Sequence, residues 1–110
     1  MKEFCSYEIS NLLKEKGFDE DCLAYYHSSN NELIVNNIPN YSLEKYNLGI
    51  AAPLFQQAIM WLMKKLDLKF PYIKFVIFSD CSGYIESTDD NICIMFVDLG
   101  NSILEALNLI

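Results

Sequence analysis

Residues 53–66, PLFQQAIMWLMKKL, form a stretch that is apolar on one side only. At 100° per residue, Phe55, Ala58, Ile59, Leu62, Met63 and Leu66 fall within one arc of roughly 140°. Gln56, Gln57, Lys64 and Asp67 lie on the opposite side. Pro53 suits the first helical position, where its missing N–H costs nothing. A helix of nearly four turns with one greasy side needs an apolar surface to lie on, so a layered, packed domain is required. Two residues do not fit a plain core account. Met60 lies in the middle of the polar arc, and Trp61 lies at the edge of the apolar one.

That surface is supplied by strand-like segments. PYIKFVIF (71–78) alternates Ile73, Phe75 and Ile77 with Tyr72, Lys74, Val76 and Phe78. Being apolar on both faces, it is expected at the centre of a sheet. SDCSG reads as a turn and YIES as the partner strand. Earlier, CLAYYHSSNNELIV reads as a hairpin turning at Ser28–Asn31. The register places His27 opposite Glu32, Tyr26 opposite Leu33, Tyr25 opposite Ile34 and Ala24 opposite Val35. Cys22, Ala24, Tyr26, Leu33 and Val35 then form the core face, and Tyr25 and Ile34 belong to a mixed outer face.

The first helix is well punctuated. Ser6 is its expected N-cap with Glu8 in the first turn, and Lys14 and Lys16 suit the last turn. Gly17 is the expected residue just past the end, with Phe18 folding back toward Leu13. Residues 37–51 show no clean period and read as a long loop with one turn of helix, a common form for a binding loop or lid. In the tail, Ile92, Met95, Phe96, Leu99, Ile103, Ala106, Leu107 and Ile110 share one helical face. One long helix over 89–108 is therefore expected, although ICIMFV alone resembles a buried strand and Asp98 could cap a shorter helix.

The expected order is α-β-β-α-β-β-α. It gives an α+β fold with a four-stranded, mostly antiparallel sheet and helices on one face. The 110 residues fit a single α+β domain, 1–110, large enough to bury roughly two thirds of its unfolded surface.

Composition narrows the function. The net charge is −7, with eight Lys and no Arg against fifteen acids, so phosphate-dominated binding to DNA or RNA is not expected. No apolar run approaches the roughly 20 residues of a membrane span, and the charged start, with Lys2, Glu3 and Glu8, does not read as a signal peptide. A cytoplasmic location follows. Cys5, Cys22, Cys81 and Cys93 make no CxxC pair, and His27 is the one histidine, so no metal site and no cofactor is expected. No glycine-rich phosphate loop occurs. Cys81 beside Asp80, with His27 on the other hairpin tip, is the one nucleophile considered. Nothing in the spacing brings a base to it, so no catalytic residue is assigned.

Three stretches carry a resemblance: LLKEKGFDEDCLAYY (12–26), GIAAPLFQQAIMWLMKKLDL (49–68) and ILEALNLI (103–110). Together they resemble a family of small uncharacterised proteins of anaerobic gut bacteria, their phages and integrative elements, with the pattern GFDEPC…APTxxxAxxWLREKH…EALxLI. Asp21 stands where that family has proline, and WLMKKLDL replaces its charged run ending in histidine. The matching motifs concern packing, so the resemblance implies a mobile-element context and no catalytic residues.

Two functions are compatible with these observations. One is protein–protein association, with the chain itself as the simplest partner in a homodimer. Its candidate surface is Tyr25, Ile34, Met60 and Trp61, apolar groups outside the two expected core faces. The other is a small-molecule site between the sheet and the 37–51 loop.

Overall fold

A computed structural model describes residues 3–110; Met1 and Lys2, part of the charged N-terminal stretch, lie outside the described residues. The fold is α+β. Its secondary structure is α1 (Tyr7–Glu15), β1 (Tyr25–His27), β2 (Leu33–Ile34), α2 (Asn40–Lys45), β3 (Gly49–Ala51), α3 (Phe55–Lys69), β4 (Lys74–Ile77), β5 (Gly83–Ser87), β6 (Ile92–Phe96) and α4 (Leu99–Leu109). The strands form two three-stranded antiparallel sheets, β2-β1-β3 and β4-β5-β6, and not one sheet of four. The chain divides into two compact units after Ala58.

In the first unit, α1 begins and ends as its sequence dictates. Ser6 Oγ accepts from the Ile9 amide at 3.2 Å. At the other end Gly17 takes φ +99°, which lets the Phe18 amide reach the Leu13 carbonyl at 2.9 Å and the Gly17 amide reach Lys14 at 3.0 Å. This is a Schellman closure, and Phe18 is buried by it. The first hairpin has the expected register, with Tyr25 opposite Ile34 and Tyr26 opposite Leu33, and the His27 amide donates to the Glu32 carbonyl at 2.9 Å.

The faces of that hairpin depart from expectation. Cys22 and Ala24 are buried, but Leu33 is exposed, Val35 is 68% exposed and Tyr25 is only 7% exposed. The cause lies in residues 37–51, which are not one long loop. They contain α2 and then β3, and β3 pairs with β1 on the side away from β2, placing Tyr25 opposite Ala51 and Tyr26 opposite Ile50. A central strand is enclosed on both sides, while the two-residue β2 remains an edge. Both α1 and α2 pack against β3. A second Schellman closure ends α2, with Asn47 at φ +51° and the Leu48 amide donating to Leu43 at 3.0 Å.

Helix α3 buries the stripe read from its periodicity: Ala58, Ile59, Leu62 and Leu66 are buried, and Phe55 and Met63 are partly so. It starts at Phe55, two residues past Pro53, and runs on to Lys69, where Pro71 prevents continuation.

The second unit holds the largest correction. Residues 89–108 are not one helix. Ile92–Phe96 is strand β6, paired with β5 from Ser87↔Ile92 to Gly83↔Phe96. Thr88 to Asn91 is the turn, closed by Asn91 at φ +55° and by a 2.8 Å hydrogen bond from the Ser87 hydroxyl to Asp90 Oδ2. Helix α4 starts only at Leu99, capped by Asp98, whose Oδ1 accepts from the Asn101 amide at 2.7 Å. The shared helical phase reflects burial on one side in both segments: Phe96, Ile103, Ala106 and Leu107 are all buried, and α4 packs on β5 and β6. Lys69 closes the far end of α4, its Nζ donating to the Leu109 carbonyl at 2.7 Å. Strand β4, expected at the centre, is an edge; β5 is the middle strand.

Candidate functional site

Alternation along the second sheet sorts its side chains into two faces. Phe75, Ile77, Ile85, Ile94 and Phe96 share the inner one. Ile85 is fully buried there, and Phe75 and Phe96 meet edge to face at 5.9 Å. The outer face carries Lys74, Val76 and Phe78 from β4 and its end, Tyr84 and Glu86 from β5, and Cys93, Met95 and Val97 from β6 and its end. The register stacks these into rows. Lys74, Glu86 and Cys93 form one, Val76, Tyr84 and Met95 the next. Beyond the second row stand Phe78, whose ring lies 6.0 Å from that of Tyr84, and Val97.

This outer face is not covered. Met95 is 81% exposed, Val97 74% and Phe78 53%. Single exposed apolar residues are ordinary on a protein surface; here the exposed Phe78, Met95 and Val97 lie beside the half-buried Val76 and Tyr84 on one face of three hydrogen-bonded strands. One ion of each sign, Lys74 and Glu86, stands opposite the other at its border. The signal for this face was present in the sequence, since KFVIF and ICIMFV are apolar at both odd and even positions. Two-sided apolarity fits a strand buried on both faces and equally a strand with one bare face.

The four residues singled out from sequence fare differently. Trp61 is 7% exposed, with Lys65 Nζ 5.3 Å from its ring centre, and Tyr25 is equally buried, so neither can contribute a free surface. Ile34 is half-buried. Met60 is exposed at 58% on α3, as its place in the polar arc requires. Tyr25 and Ile34 face each other across β1 and β2 in the first unit, while Met60 and Trp61 are on α3 in the second.

No family model, no curated protein and no solved structure matches the chain.

His27, Asp80 and Cys81 all stand at hairpin turns. His27 Nδ1 accepts from the Ser29 amide at 3.1 Å and lies 2.8 Å from its hydroxyl, an arrangement that pins the first hairpin turn. Cys81 occupies a left-handed position, φ +70°, in the turn between β4 and β5. Asp80 beside it accepts from the Ser82 hydroxyl at 2.6 Å and the Ser82 amide at 3.0 Å, and these bonds hold its carboxyl below the usual range. Cys5 and Cys22 are buried, and loss of hydration is the largest reason that each thiol is pushed up to about 12. Thiols held protonated in this way are poor nucleophiles. No group of three or more His, Cys, Asp or Glu fit to hold a metal ion occurs among the described residues, and no helix there is long and apolar enough to cross a membrane.

The first unit also contains a polar groove of about 180 Å³, bordered by α1, by β1 and by the Asn47–Ile50 segment. Lys14, Gly49 and Ile50 separate it from a smaller recess of about 10 Å³ lined by Ser10, Asn40 and Glu44. Tyr26, on the groove wall, donates its phenol proton to the Cys5 carbonyl at 2.6 Å and packs edge to face on Tyr7 at 5.7 Å.

Proposed function

We propose that this protein acts by association, through the outer face of its second sheet, and that its partner is a second copy of the same chain. The supporting observation is the cross-strand row of half-buried Val76 and Tyr84 and exposed Met95, with exposed Phe78 and Val97 beyond it. Turning one copy about a two-fold axis along that row lays the row on itself. The Lys74–Glu86–Cys93 side of one copy then meets the Phe78–Val97 side of the other, so no like charges are opposed. This matters for a chain of net charge −7, whose copies otherwise repel. Three strands about 4.8 Å apart and five residues long make a footprint of roughly 14 by 17 Å. That is well short of the roughly 800 Å² per partner of a standard stable interface, so the association is weak and reversible. The resemblance to proteins of phages and integrative elements supplies a context: a small cytoplasmic component whose assembly depends on its local concentration.

The test is sedimentation equilibrium from about 10 µM to 1 mM. Wild type is expected to dimerise reversibly with Kd on the order of 100 µM. Met95→Glu, at the exposed end of the row, is expected to weaken dimerisation at least tenfold with an unchanged urea midpoint. Met60→Glu, on the exposed side of α3, is expected to leave it unaltered. A wild type that remains monomeric to 1 mM, or a Met95→Glu variant that dimerises like wild type, overturns the proposal.

A further inference from the structure

The groove in the first unit is chemically unlike the rest of the protein. The chain carries fifteen carboxylates, yet none lines this groove. Its one charged group is Lys14, whose ammonium has no ion-pair partner among the described residues. Around it stand neutral donors, the Tyr7 phenol, the Ser28 hydroxyl and the side-chain amides of Asn31 and Asn47. The Tyr26 hydroxyl has its proton committed to the Cys5 carbonyl, so toward the groove it offers lone pairs only. The adjoining recess holds the buried Ser10 hydroxyl, which has no hydrogen-bond partner in the protein, but at about 10 Å³ it is water-sized and lies outside the groove.

We propose that this groove binds a small hydroxylated oxyanion, a carboxylate or a phosphate monoester, with Lys14 as its charge partner. The sign follows from the lining. One ammonium surrounded by neutral donors favours a small anion over a cation, and Glu44 on the recess side excludes the anion from there and leaves it to the groove. The acceptor-only face of Tyr26 fits a hydroxyl on the same ligand. The groove volume of about 180 Å³ is below the range of sites for drug-sized molecules, so the ligand is of small-metabolite size. Gly49 keeps the groove floor on the backbone, since a Cβ there would stand 2.0 Å from the Tyr26 carbonyl oxygen. This site is independent of the association surface, which belongs to the other sheet.

The probes are inorganic phosphate and glycolate, each titrated into the full chain and followed by ¹H–¹⁵N spectra, with sodium chloride at matched ionic strength as control. Saturable shifts are expected at the amides of Asn31, Asn47, Gly49 and Ile50, with Kd in the millimolar range. Saturation by phosphate alone, or by glycolate alone, identifies which oxyanion is preferred. Lys14→Gln is expected to weaken binding about tenfold or more while retaining the wild-type spectrum elsewhere. Lys45→Gln, whose ammonium stands over the Tyr41 and Tyr46 rings on α2, is expected to bind like wild type. Shifts that track ionic strength without saturating, or saturable shifts indifferent to Lys14→Gln, overturn the proposal.

Discussion

Gly49 and Tyr26 approach so closely that a Cβ on Gly49 would lie 2.0 Å from the Tyr26 carbonyl oxygen and 2.9 Å from its carbonyl carbon. Both are backbone atoms within the β1–β3 pairing, so neither can turn aside as a side chain could. Gly49→Ala is expected to cost about 3 kcal/mol or more by forcing the two strands apart. Gly17→Ala makes the contrast: nothing lies within 4 Å of its Cβ, and only the φ of +99° is unfavourable, for about 1 kcal/mol. Urea midpoints of the two variants check the ranking, and equal losses would refute it.

Adjacent residues on α3 separate burial from exposure. Trp61→Ala is expected to cost about 3–5 kcal/mol, since the indole is nearly fully buried. Met60→Ala is expected to stay within about 0.5 kcal/mol of wild type. Thermal or urea denaturation decides this, and a large loss at Met60 would show that its side chain is engaged in the folded protein.

The buried thiols make stability sensitive to alkaline pH. Cys5 and Cys22 ionise only near 12 in the fold, against an ordinary value of 9.0. A raised folded pKa leaves stability intact below the unfolded value, and the unfolded chain then gains by ionising as pH climbs from 9 toward 12. By pH 10 each thiol is expected to remove on the order of 1 kcal/mol. Urea midpoints at pH 7.5 and 10 should fall in wild type and fall much less in a Cys5→Ala, Cys22→Ala double variant. An equal fall in both would mean that other groups govern the alkaline limb.

Cys81 holds a left-handed conformation that costs a residue with a Cβ about 1 kcal/mol. Cys81→Gly is therefore expected to raise stability by about 0.5–1 kcal/mol, after allowing for the looser unfolded chain. A loss of stability would indicate that the thiol contributes a contact greater than this strain.

Much of the local structure was legible in the chain. Ser6, Gly17 and Phe18 encode both ends of α1 because capping involves groups only a few residues apart. The Tyr25–Ile34 register follows from the length of the polar turn between them. The buried stripe of α3 follows from period alone. For the candidate surfaces little was legible: Met60 in the polar arc is exposed, but Tyr25 and Trp61 are buried, Val76 and Phe78 were read as a central strand's second face, and Met95 was read as part of a helix.

Caps, prolines and short-range periodicity in the chain encode both ends of α1, the first hairpin turn, the buried stripe of α3 and the α+β class. The tertiary structure alone decided that Ile92–Phe96 is a strand. Its apolar residues fit a helical phase as well as a pleat, and hydrogen bonding to β5 settles a choice that local propensity leaves nearly balanced. It alone decided that β1, with the buried Tyr25, is a central strand, because β3, some twenty-five residues later, pairs along its other edge. It alone decided that Met95 is bare, for whether a sheet face is covered depends on which elements fold against it, and no residue on that face carries this information.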